Sequence, residues 1–171
     1  MRSTAATTRT RRALEEAERR FVAQVVADGG IGRWRAAADQ RLRTALDAFT
    51  RRSRLSRRVA ADLLVALLDE PTRDQCWQVV ESRADVDWRP FSLHLSRRAL
   101  PPYRTEPLFL LAWSAWRLGD VRLARAAADD VLVLDPGHRA AALLRALLWL
   151  EVGPDRLASL AGRPAISAGT P

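Results

Sequence analysis

Lysine is absent from the 171-residue chain, and cysteine, methionine and tyrosine each occur once. The single Cys76 excludes an internal disulfide framework, and a lone thiol suits a reducing compartment. Two histidines and one cysteine are too few for most zinc sites. Long hydrophobic runs are missing as well. The two most apolar stretches, residues 108–116 and 140–150, fall short of the roughly 20 residues a bilayer span needs, so no membrane association is expected. Sustained alternation of apolar and polar residues between hairpin turns is also lacking, which argues against a β-sheet.

What is present is helical periodicity and arginine. All 28 basic residues are Arg, against 20 acids, for a formal charge of +8. The absence of Lys is most simply the codon bias of a GC-rich bacterial genome. Residues 1–58 hold 15 Arg and 6 acids, whereas the remainder is close to neutral. Such asymmetry marks a candidate arm for nucleic acid or another anionic surface. Residues 1–12 are rich in Arg, Thr and Ser without an apolar core, so they are no secretory signal. They share the acid-poor look of a transit peptide, but Glu15, Glu16 and Glu18 follow at once. The cytoplasm is the expected compartment.

The pattern predicts one all-α domain over residues 10–162, between a flexible N-terminus (1–9) and a flexible tail (163–171). Basic N-terminal helices occupy residues 10–55. The first, 10–27, carries Leu14, Ala17, Phe21 and Val25 on one face and ends at Gly29-Gly30. A second is expected over 33–52, with Trp34, Ala38, Leu42, Ala45 and Phe49 as its stripe. Ser56 is the expected cap of a third, stopped by Pro71, and Thr72 that of a fourth carrying Cys76, Trp77 and Val80. A fifth around 88–99 presents Phe91 and Leu95.

Residues 105–162 read as a tetratricopeptide-like antiparallel array. Thr105-Glu106-Pro107 starts an apolar helix closed by Gly119-Asp120. Helices over 121–134 and 137–152 follow, stopped by Asp135-Pro136 and Gly153-Pro154. Ala112, Gly119 and Ala124 recur 34 positions later as Ala146, Gly153 and Ala158, which is the tetratricopeptide period. Small residues at Ala112 and Ala124 allow close helix approach. The second unit is weaker, with Arg145 at an apolar position and Pro164 cutting its second helix. Trp113, Trp116 and Trp149 lie on these apolar helices and are expected to be buried.

Residues 63–74 (LLVALLDEPTRD), Trp77 and residues 110–144 (LLAWSAWRLGDVRLARAAADDVLVLDPGHRAAALL) resemble the C-terminal half of the actinobacterial domain-of-unknown-function 4192 family. The resemblance covers residues 44–154. Full-length members carry a further N-terminal region with strand-like segments that has no counterpart here. The resemblance implies the helical fold and a bacterial origin, and brings no activity, cofactor or catalytic residue.

Catalytic constellations do not emerge from the residues. Cys76 sits on an apolar face beside Trp77, as a buried inert thiol would. His94 lies between two leucines, and His138 opens a helix as a solvated turn residue. The two lack ligand spacing. The acid pairs Asp69/Glu70, Asp85/Asp87 and Asp129/Asp130 do not converge on a pocket as acid–base chemistry requires. Gly29-Gly30-Ile31-Gly32 follows a helix rather than a strand and is no phosphate loop. No cofactor, metal or catalytic residue is expected. Arg51, Arg52, Arg54, Arg57 and Arg58 form the one feature with functional potential, a candidate polyanion site without aromatics for base stacking or a helix-turn-helix frame. Three readings stay open: a non-enzymatic helical scaffold that binds a protein or peptide partner, a nucleic-acid-associated protein using the basic first third, and a fragment or relative of a larger protein whose active region is absent.

Overall fold

The computed structural model describes residues 2–83 and 86–160, and among these every regular element is an α-helix. The helices are α1 (Arg2–Ala27), α2 (Ile31–Ala36), α3 (Ala38–Arg52), α4 (Arg57–Ala66) and α5 (Glu70–Ser82), followed by α6 (Arg89–Ser96), α7 (Thr105–Arg117), α8 (Val121–Leu134), α9 (Arg139–Trp149) and α10 (Pro154–Leu160). The tail 163–171, residues 161 and 162, Pro164 and Asp85 lie outside the described residues.

The first helix starts at Arg2, well before residue 10, because no Gly or Pro interrupts residues 2–27 and the Ala and Arg positions favour helix. Gly29 and Gly30 end it with φ of 78° and 123°, values that a residue with a Cβ rarely adopts. The helix expected over 33–52 is two helices broken at Ala37, whose N–H turns to the Trp34 carbonyl. The break lets Trp34 swing edge-on to Phe21, 4.7 Å between centroids, while α3 keeps its own stripe inward.

The α4–α5 turn also differs from expectation. Helix α4 ends before Pro71, which instead sits in the first turn of α5. Its missing N–H costs nothing there. Asp69 caps α5, accepting from the Thr72 N–H at 3.2 Å, so Thr72 is the donor and not the cap. Ser56 caps α4 as expected, its Oγ accepting from Val59 N–H.

Helix α1 packs on α4, α3 on α5, and then α6, α7, α8 and α9 pack successively. One core gathers Leu14, Leu46, Leu64, Val80, Phe91 and Leu95; the other gathers Phe109, Ala112, Trp116, Ala128, Val131 and Leu144. Helix α7 is buried on nearly every side and serves both, with Leu110 in the first and Leu108 in the second. Ala112, Ala124 and Ala128 are wholly inaccessible, so the α7 and α8 backbones approach closely. The turn between them passes through Gly119 at φ 75°.

Candidate functional site

The structure gathers the five predicted arginines around the α3–α4 corner. Helix α3 ends at Ser53 in the left-handed conformation, and Leu55 plugs the chain into the first core. The Leu55 N–H donates to His94 Nε2 of α6 at 3.1 Å. Pinned there and by the Ser56 cap, the corner leaves Arg51, Arg52, Arg54, Arg57 and Arg58 exposed. Arg58 stands 3.9 Å from Asp62. The other four form no ion pair among the described residues.

Two further observations sharpen the corner. Arg57 and Arg58 occupy the first turn of α4, which holds no acid, so they oppose the positive end of the helix dipole. An anion would relieve that repulsion. Arg98, in the turn just past the end of α6, adds a sixth guanidinium, 3.2 Å from His94 Nδ1 and bonded at 3.2 Å to the His94 carbonyl. Burial and the Arg98 charge hold the His94 imidazole below its ordinary pKa. Neutral His94 can therefore accept from Leu55. Nothing in the spacing of residues 51–58 pointed to Arg98; only the packing of α6 under the corner does so.

A second cluster was missed in the sequence. Glu106 is buried on α7, and its Oε1 faces Arg73 Nη1 of α5 at 3.3 Å and His138 Nε2 at 3.5 Å. His138 is not a solvated turn residue: it caps α9, its Nδ1 accepting from Ala141 N–H, and its ring lies 4.8 Å from Phe109. Because Nδ1 accepts, the proton of the neutral ring sits on Nε2, toward Glu106. The carboxylate thus ties α5 and the start of α9 to α7, at the edge of a cleft of about 610 Å³ also lined by Pro102, Thr105 and Asp135. Among the described residues Glu106 Oε2 has no hydrogen-bond partner. The sequence signal for this node was weak, since Thr-Glu-Pro reads as an ordinary helix start.

The remaining candidates fall apart. Burial pushes the Cys76 thiol up to about 12, which keeps it protonated and inert at neutral pH. Asp69 and Glu70 diverge, the first toward Arg35 and the second toward Arg73. Asp129 and Asp130 are both exposed, and Asp87 is paired with Arg89 at 2.9 Å. Among the described residues no group of three His, Cys, Asp or Glu side chains could hold a metal ion. Among them, too, no helix is long and apolar enough to cross a membrane.

The last feature is the outer face of α9. Trp116 is buried as expected, 3% exposed, and Trp113 is half-buried. Trp149 contradicts the expectation: it is 78% exposed, with Leu143 at 61% and Leu150 at 57%. With Ala142 and Ala146 these residues span roughly one third of the helix circumference at 100° per residue. Ala141, Leu144 and Leu148 occupy the opposite face and fill the core. Helix α9 is therefore apolar on two sides, and only one is covered by α8.

Among the described residues, fold and surface together define an all-helical protein with a basic corner and a bare apolar helix face. The chain belongs to the DUF4192 family, a domain of unknown function, whose model matches residues 1–155. That match takes in the basic first third, which lies beyond the resemblance seen from residue 44 onward. No curated protein and no solved structure shows a significant match to the chain.

Proposed function

We propose that this protein is a non-enzymatic interaction module, cytoplasmic and actinobacterial, whose C-terminal helices hold an amphipathic helix of a protein partner against α9. The observation that carries the reading is the exposed set Leu143, Trp149 and Leu150, opposite a face already packed in the core. In a tetratricopeptide-like array each helix covers its predecessor's outer face with its own apolar stripe. Helix α10 follows α9 and packs Leu157 on the second core, yet leaves Leu143, Trp149 and Leu150 exposed, so the occupant we assign to that face is a further helix. Tryptophan also dominates protein interfaces, where it buries a large rigid surface.

A photo-cross-linking amino acid at Leu143, in cells that make the protein naturally, tests this reading. Cross-links should map to an apolar helical segment of another protein and disappear when Trp149→Arg is added. Cross-links confined to the chain itself, or insensitive to Trp149→Arg, would overturn it.

The second reading is polyanion binding at the basic corner. It is favoured by four exposed arginines without acidic partners among the described residues and by the uncompensated first turn of α4. Contacts there would be to phosphate and indifferent to sequence, because no base-reading element accompanies them.

A further inference from the structure

Helix α1 rests on α4 and α3 rests on α5, while α1 and α3 meet in few places. The gap between them is a cavity of about 580 Å³, within the range of small-molecule sites. Its walls are methyl and aromatic groups: Ala17 and Phe21 of α1, Leu42 and Ala45 of α3, Leu63 and Ala66 of α4. Cys76, buried and protonated, and Trp34, also buried, complete the apolar lining.

Shape and charge narrow the ligand class. Along α3 the lining runs from Ala38 to Ala48, about 15 Å at 1.5 Å per residue, long enough to seat an extended alkyl chain. The charged residues of the lining are Arg20, Arg41, Arg58 and Asp62, an excess of positive charge. Asp62 is already engaged, receiving Arg20 Nε at 2.9 Å and Nη2 at 2.6 Å. Arg41 is bonded to Asp28 at 3.1 Å and stacks on Trp34. Arg58 is the least committed, 75% exposed and 3.9 Å from Asp62. A long apolar slot with one available guanidinium at its rim fits a linear apolar tail ending in an anion.

We propose that this cavity binds a medium-chain alkyl carboxylate, with the chain along the α1–α3 gap and the carboxylate on Arg58. The site is separate from the α9 face and does not depend on the function proposed above. Its closing residues come from helices far apart in the chain, which is why no sequence motif announces it.

Dodecanoate is the probe, titrated below its micelle concentration into the full chain and followed by calorimetry and Trp emission. Saturable binding at one site is expected, with an emission change that Trp34→Phe abolishes while the heat remains. Arg58→Ala should weaken dodecanoate about tenfold, the scale of one charge-assisted contact, and leave dodecanol unaffected. Ala45→Phe, which fills the channel, should abolish binding of both. Should that variant fail to melt cooperatively, Ala48→Phe at a half-buried wall position blocks the same channel. The proposal is overturned if the unmodified protein shows no saturable heat, or if dodecyltrimethylammonium binds as tightly as dodecanoate. Undiminished binding by a folded channel-filling variant overturns it as well, as does undiminished dodecanoate affinity in Arg58→Ala.

Discussion

Asp69 caps α5 and at the same time binds Arg35 of α2, with Arg35 Nη2 at 2.6 Å from Oδ1 and Nε at 3.0 Å from Oδ2. One carboxylate thereby fixes both the start of a helix and the position of a short helix that precedes it by more than thirty residues. Burial alone would raise the Asp69 carboxyl, but the bonds from Arg35 and Thr72 outweigh it and hold the pKa below the usual value.

Because the folded carboxyl titrates below the unfolded one, its stabilisation is complete above the unfolded pKa of about 3.9 and is lost as pH falls through the lower folded value. Asp69→Ala should cost about 1–3 kcal/mol at neutral pH, through the lost cap and the unpaired Arg35. Urea unfolding at neutral pH and in acid checks this: the gap between the two proteins should narrow below pH 4.

Two tryptophans of the C-terminal helices, Trp116 on α7 and Trp149 on α9, should behave in opposite ways. Trp116 is buried and donates from Nε1 to the Val152 carbonyl at 3.1 Å, so Trp116→Ala should cost about 3–5 kcal/mol. Trp149→Ala should change stability by no more than about 0.5 kcal/mol. Thermal melts of both variants decide the matter, and equal losses would contradict the placement of α9.

His94 makes the corner sensitive to mild acid. Its pKa is depressed by burial and by Arg98, so its contribution is present above the unfolded value of about 6.5. That contribution declines as pH falls from there through the folded pKa, when Nε2 takes a proton and can no longer accept from Leu55. An NMR titration should place His94 below 6.5. The denaturation midpoint should fall over the same range, and less so in His94→Gln.

If the corner binds phosphate, replacing Arg51, Arg54 and Arg57 with Ala should weaken binding to random duplex DNA. The slope of log affinity against log salt should drop by about one unit per lost contact. The melting temperature should hold, since these side chains are exposed and Arg57 opposes its helix dipole. Filter binding at low and physiological salt measures both quantities. An unmodified protein that binds no DNA at low salt ends this reading.

Local rules carried the helices and their stops. Gly29-Gly30, Ser56, the Gly119 turn and the bounds of α8 were all legible, because backbone freedom, capping oxygens and apolar period act within a few residues. The family resemblance was legible from residues 63–77 and 110–144 for the same reason, being a local string of helix and turn residues. Interactions between distant segments were not. Asp69 rather than Thr72 caps α5 because Arg35 and the Thr72 N–H converge on its carboxylate. His138 is held against Glu106 only once α7 and α9 have packed. Trp149 reads as core from its apolar neighbours, yet only the angle at which α9 meets α8 decides which of its two apolar sides is covered. The same holds for the basic corner: composition placed its five arginines together, whereas Arg98 joined them through its contact with His94, and Arg58 came to the mouth of a cavity that exists only because α1 and α3 lean on different partners.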